Sequence, residues 1–205
     1  KPTETEEDVA KIKQYKTELV RVSEKDNFEN IEDYLKALHL KLKIYIDPLD
    51  MIDRLSQLTQ KTNQFNLTTR RYTSNEIKAF IEDPTCLVVA MDVTDKFGAY
   101  GTTGLAICHW QDDEAKIDSL IMSCRILGRN IEFKLVDQLL KLLKNKNVEK
   151  VSAEYINTAK NSQVSDLYLK VGFSLVVEET EGKLFERNIV EFNEQNLNYI
   201  ILTAP

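Results

Sequence analysis

The sequence has little of what marks metal, redox or secreted chemistry. Only two histidines, His39 and His109, occur in 205 residues. A catalytic metal usually takes about three protein ligands, and no His/Asp/Glu cluster supplies them, so no metal is expected. The three cysteines, Cys86, Cys108 and Cys124, are odd in number and form no CxxC pair. That excludes a zinc ribbon and a disulfide framework, fits a reducing compartment, and sets the expectation of a cytoplasmic protein. Glycine (6) and proline (4) are scarce, which removes collagen-like and low-complexity readings. No apolar run approaches the roughly 18–20 residues of a membrane span, so no membrane association is expected. Basic charge is short too: the net charge is −6 and lysine and arginine are spread evenly, which argues against a nucleic-acid binder. No signal peptide is visible. The chain opens at Lys1, in charged helical sequence, and reads as a segment excised from a longer protein.

What is present is ordinary globular composition, 42% hydrophobic and 29% charged, with clear periodicity. Val9, Ile12, Tyr15 and Leu19 recur at spacings of three and four, predicting a helix over 5–22 with one buried face. Phe28, Ile31, Leu35 and Leu38 predict a second over 28–39. Alternation from Lys41 to Ile46 predicts a short strand, and Ile52, Leu55 and Leu58 predict a helix over 49–60. Residues 61–72 look extended. Thr73 and Glu76 form a capping box that opens a short helix ending at Asp83-Pro84. Residues 86–93, 101–110 and 115–123 are three strand-like runs with short joins, so they are antiparallel. A helix over 130–144, with an apolar stripe from Ile131 to Leu143, leads to a strand at 149–156. A helix over 161–170 and strands near 173–179 and 183–190 follow. The tail at 195–202 is ambiguous. The expected architecture is an α/β (α+β) fold: a mixed, mostly antiparallel sheet flanked by helices. It spans residues 66–205, with residues 1–65 as a helical extension and linker from a missing N-terminal domain.

Chemistry points first to Arg125-Ile126-Leu127-Gly128-Arg129-Asn130, between a strand and a long helix. Free amides at a helix start bind phosphate oxygens, Gly128 permits close approach, and Arg125 and Arg129 add charge-assisted donors. The alternative is a loop with solvated arginines. The run Lys61–Arg71 is unusually polar. It reads either as an edge strand with a solvated face or as a pocket lining in which Asn63, Gln64, Asn66 and Arg70 recognise an amide or hydroxyl-bearing chain. A Cys124–His109 nucleophile pair is excluded by hairpin register, which sets them roughly 26 Å apart at about 3.3 Å per residue. Cys124 reads as a small buried side chain or, alternatively, as a site residue beside the loop. Glu154 is either a base for an amine or a solvated edge glutamate.

The element order and R-x-x-G-x-x between the fourth strand and the long helix resemble the GNAT N-acyltransferase superfamily. Asn130 stands where the usual loop has a small residue. The resemblance implies acyl-coenzyme A, such as acetyl-CoA, lying in the gap between two parallel central strands. Backbone amides of the strand ending near Ser123 would then polarise the thioester. Arg125, Gly128, Arg129, Asn130 and Asn161 would take cofactor-binding positions. Tyr168, followed by Gly172-Phe173, would protonate the departing thiolate. Tyr168 and Phe173 read equally as core aromatics.

A closer resemblance runs over about residues 1–190. RLSQLTQKTNQFNLTTRRYT (54–73), DKFGAYG (95–101), SCRILGR (123–129) and YINTAKNSQVSDLYLKVGF (155–173) look like the C-terminal region of FkbH-like proteins, modular enzymes of polyketide biosynthesis. That implies a haloacid-dehalogenase-like domain elsewhere in the same chain, which loads a glyceryl group onto an acyl carrier protein toward methoxymalonyl units. Its D-x-D-x-[TV] nucleophile motif is absent here. Two functions follow from these resemblances. One is an acyltransferase acting on acyl-CoA or a phosphopantetheine thioester. The other is a non-catalytic module docking an acidic carrier protein through Arg70, Arg71, Arg125 and Arg129, a reading that Asn130 favours.

Overall fold

Leucine and lysine alternate from Leu40 to Lys43, and successive strand side chains point to opposite faces. In the computed structural model, which describes residues 6–204, this stretch is β1 (Leu40–Ile46), with Leu40 and Leu42 fully buried. It follows α1 (Glu6–Lys25) and α2 (Ile31–Ala37) and precedes α3 (Ile52–Lys61) and α4 (Ser74–Glu82). The Thr73–Glu76 capping box opens α4 as expected. The meander is β2 (Cys86–Asp95), β3 (Gly98–Gln111) and β4 (Glu114–Met122), antiparallel throughout. Helix α5 (Ile131–Asn145) crosses to β5 (Lys150–Ile156), which lies parallel to β4. Then come α6 (Leu167–Lys170), β6 (Ser174–Glu178), β7 (Gly182–Asn188) and β8 (Ile200–Thr203).

Among the described residues, eight strands form one mixed sheet in the order β6-β7-β5-β4-β3-β2-β1-β8. Both faces are covered, which is why β2 reads as an unbroken apolar run rather than an alternating one. Leu87, Val89 and Met91 share a core with Leu135, Leu139 and Leu143 of α5. Val88 and Ala90 share the opposite one with Leu55, Leu58 and Ile77 of α3 and α4.

Several expectations change. The boundary read at 65/66 falls inside the fold, because β1 pairs with β2 and α3 belongs to the same core as α4. The helix read over 161–170 is a 3-10 turn (Ser162–Val164) followed by the single-turn α6. The Asn161 side chain bonds nearby backbone groups and so competes with helix formation. The ambiguous tail supplies β8, parallel to β1. The apolar stripe of α1 faces outward, with Val9, Ile12, Tyr15 and Leu19 all exposed. The helix is anchored instead through buried Arg21, which donates to Asp95 at 2.9 Å and lies over the Phe97 and Tyr100 rings. Residues 1–5, where the first helix and the extension were read to begin, lie outside the described residues.

Candidate functional site

Parallel strands joined by a crossover need not stay paired along their whole length. Here β4 and β5 hold register from Glu114↔Lys150 to Ile117↔Ala153 and no further. Beyond that point a third segment lies between them. The Leu67 amide donates to the Leu120 carbonyl at 3.2 Å, and the Met122 amide donates to Phe65 at 3.0 Å. On the other side the Ile156 amide donates to the Leu67 carbonyl at 2.8 Å. The segment therefore bridges both strands through main-chain bonds. Phe65 and Leu67 are buried in the core beneath it.

The polar run that looked like a pocket lining holds this segment in place. Asn161, fully buried, donates through Nδ2 to the carbonyls of Asn66 (3.0 Å) and Ile156 (2.9 Å). Its Oδ1 accepts from the Thr158 amide and the Tyr155 hydroxyl. Asn66 Oδ1 accepts the amide of Thr69, which adopts a left-handed backbone. Thr68 and Arg70 both donate to the Asp118 carbonyl, and Arg70 pairs with the carboxylates of Asp118 and Glu154. Arg71 donates to the Thr59 and Thr62 carbonyls and to Asn63. Glu154 is thus a member of a charge network, not a free base. Burial pushes its pKa up, but Lys116 and Arg70 outweigh that and hold it below the usual range. Asn66, Arg70 and Asn161 are placed together here, as parts of a chain-to-chain latch.

The 123–130 loop opens α5, and Gly128 and Asn130 both take left-handed backbone conformations. The flanking arginines, read as phosphate donors or as solvated side chains, are engaged with the loop's own backbone and with α1. Arg129 is buried, donates to the carbonyls of Arg125 and Leu127, and lies near Tyr34 and Glu18. Arg125 binds Ser123 Oγ and Gln14 of α1. Asn130 Nδ2 donates to the Tyr199 hydroxyl at 2.8 Å. At the first turn of α5, where a phosphate would be favoured, stands Glu132. Desolvation raises its pKa, partly offset by its own backbone amide and by Lys170. The main-chain groups of β4 and β5 that would face a thioester in this gap are taken by Phe65 and Leu67, and a carboxylate stands in the first turn of α5.

Tyr168 is 1% exposed, packed on Phe173 and Phe185, and its hydroxyl has no hydrogen-bond partner among the described residues. Desolvation raises its pKa well above 10.0, and Gly172, at φ 88°, ends the helix behind it. This is the core arrangement. Cys124, read as buried, is exposed, whereas Cys86 and Cys108 are buried. The sulfur–imidazole contact in this protein is Cys86–His109, at 3.1 Å. Sequence reasoning missed it because β2 faces β3 in the register Cys86↔His109. Burial, and then nearby Asp83, push that thiol up to about 11, so it is a poor nucleophile.

Two cavities flank the inserted segment, and Phe65 walls both. One, of 210 Å³, lies beside Gly128, Glu132, Phe133 and Val164. The other, of 720 Å³, lies between α3, residues 62–65 and the end of β4, and it collects Asn63, Gln64, Ser123 and Cys124. Three cations line it, Arg54, Lys61 and Lys160, and no described carboxylate does. Among the described residues, no group of His, Cys, Asp or Glu is placed to hold a metal, and no helix is long and apolar enough to cross a membrane.

No protein-family model and no curated protein sequence matches the chain. Solved structures do. The ribosomal-protein-S18-alanine N-acetyltransferase from Escherichia coli superposes with a TM-score of 0.57 at 15% identity, over 76% of this chain and 98% of that one. An acetyltransferase from Thermus thermophilus gives 0.54 at 12% identity, over 74% and 99%. The PaiA N-acetyltransferase from Thermoplasma acidophilum, in complex with coenzyme A, gives 0.51 at 14% identity, over 71% and 98%. With the mixed sheet and its flanking helices, these likenesses give the chain the fold of the GNAT N-acetyltransferases.

Proposed function

We propose that this chain is a GNAT-fold module that docks an acyl carrier protein for a neighbouring haloacid-dehalogenase-like domain. The setting would be the glyceryl or methoxymalonyl chemistry of FkbH-like proteins, whose C-terminal region residues 1–190 resemble. The observation that carries this reading is the pair of main-chain bonds at Leu67, to Leu120 on β4 and Ile156 on β5. A pantetheine thioester laid in the strand gap, whether free or on a carrier, needs those strand edges; docking of a carrier protein's own surface does not. The arginines first read as a docking surface are engaged internally, so docking would use other cations.

A second reading, acyl transfer from acetyl-CoA or another acyl-CoA, is favoured by one feature: the 210 Å³ cleft beside Gly128 at the start of α5. It requires residues 65–70 to leave the strand gap first. Calorimetric titration with acetyl-CoA, coenzyme A and phosphopantetheinylated carrier protein separates the two. Heat from the carrier alone supports docking. Saturable binding of coenzyme A below millimolar concentration, with acyl transfer, overturns it.

A further inference from the structure

The 720 Å³ cavity on the α3 side of the inserted segment is within the size range of small-molecule sites, and its chemistry is one-sided. In a chain of net charge −6, Arg54, Lys61 and Lys160 converge on it without a described carboxylate among its lining residues. Lys61 and Lys160 form no ion pair among the described residues. Arg54 is half-buried and spends one N–H on the Thr102 carbonyl at 3.1 Å. Burial and the neighbouring Arg125 both disfavour its charge, and Asp92 only partly offsets them. The site therefore has positive charge to spare. Beside the cations stand Gln57, Asn63 and Gln64, uncharged groups that donate and accept hydrogen bonds. Leu58 and Phe65 supply an apolar floor.

We propose that this cavity binds an organic phosphate: its phosphate lies among Arg54, Lys61 and Lys160, and its uncharged amide- or hydroxyl-bearing chain runs along Asn63 and Gln64. A phosphate oxygen accepts from guanidinium and ammonium donors in short, charge-assisted bonds, and the amide side chains match a chain that carries its own amides. Such a phosphate arrives either on a free small molecule or at the root of a carrier protein's arm. The second source rests on the docking reading above; the first does not.

The test uses the whole chain. S-methyl-4′-phosphopantetheine, its dephosphorylated form and inorganic phosphate are titrated calorimetrically. Alkylation of Cys124 gives an independent readout, since this exposed thiol lines the same cavity while Cys86 and Cys108 are buried. The phosphorylated compound is expected to bind at least about tenfold more tightly than the dephosphorylated one, as loss of a charge-assisted bond implies. It should slow alkylation of Cys124, be displaced by inorganic phosphate, and weaken with salt. The double variant Lys61→Ala, Lys160→Ala should lose about tenfold or more in affinity. Both residues are exposed, so folding is preserved, and Arg54→Gln serves as a second probe. Equal binding of the two compounds, unchanged affinity in the double variant, or no binding at about 10 mM would each overturn the proposal. If the small phosphate binds but the phosphopantetheinylated carrier does not, the cavity stands and the docking reading falls. If the carrier binds the double variant as well as the wild type and no small phosphate binds, docking stands and the phosphate site falls.

Discussion

From Glu114 to Ile117, β4 bonds directly to β5; from Asp118 to Met122 it bonds to residues 65–70 instead. The lower half is a plain parallel ladder with alternating apolar side chains. The upper half is a three-layer junction whose middle layer comes from far away in the chain and is fixed by side-chain amides and a guanidinium. Parallel strands that part normally leave a groove for a ligand at their carboxyl ends. Here the groove is spent on the protein's own backbone, so polar residues that would face a ligand face the main chain. At Asn66, Thr68 and Arg70, what resembles a binding lining by composition is, by hydrogen bonding, engaged with the protein's own chain.

The comparison breaks most severely at Leu67. Its side chain is fully buried, so Leu67→Ala should cost about 2–5 kcal/mol in urea unfolding. A loss below about 1 kcal/mol would mean that the segment is only lightly held. Asn161→Ala takes this partner from the Asn66 and Ile156 carbonyls and the Thr158 amide, while the Tyr155 hydroxyl keeps Asn157. The expected cost is roughly 2–4 kcal/mol, with faster amide exchange at Leu67 and Ile156. In the lower half, Ser152→Ala removes a 3.5 Å contact to Ala115 and should change stability by less than about 0.5 kcal/mol. Equal effects at Asn161 and Ser152 would erase the distinction between the halves.

Smaller effects sharpen the picture. Tyr168→Phe removes a buried hydroxyl that bonds nothing described, so stability should stay within about 1 kcal/mol or rise. If Tyr168 protonated a thiolate, turnover would instead fall about 10²- to 10⁴-fold. At Glu132 desolvation raises the folded pKa above its unfolded value of 4.5, so the folded state binds the proton more tightly. The stability from this group is present below the unfolded pKa and lost as pH rises through the folded one. Glu132→Gln should therefore raise Tm slightly at neutral pH, and the gain should vanish below about pH 4. A gain that persists in acid would assign the effect to packing.

Much of the fold is legible from periodicity because its elements are made by near neighbours. The stripe of α5, the β2–β4 meander and the Thr73–Glu76 box each depend on residues a few positions apart. The site is less legible. Asn66, Thr68 and Arg70 announce polarity, but their partners Asn161, Asp118 and Glu154 lie 95, 50 and 84 residues away. No local pattern says whether an amide meets a ligand or a backbone. The loop arginines mislead for a related reason: Glu18 of α1 draws Arg129 across, and Gln14 draws Arg125. On α1 the 3,4 spacing correctly reports a helix, but not that its stripe is uncovered.

The inserted segment also sets an order on synthesis. Residues 65–70 leave the ribosome before either strand they join. At roughly 5–20 residues per second, Asn161 is made roughly 5–20 s after Asn66. In the last part of that interval, once Met122 has been made, β4 can take the segment along one edge, and the segment's other edge stays bare until β5 and the amide latch emerge. Closure of this part of the sheet is therefore one of the later events in the life of each new molecule, and it waits on the translation clock rather than on diffusion.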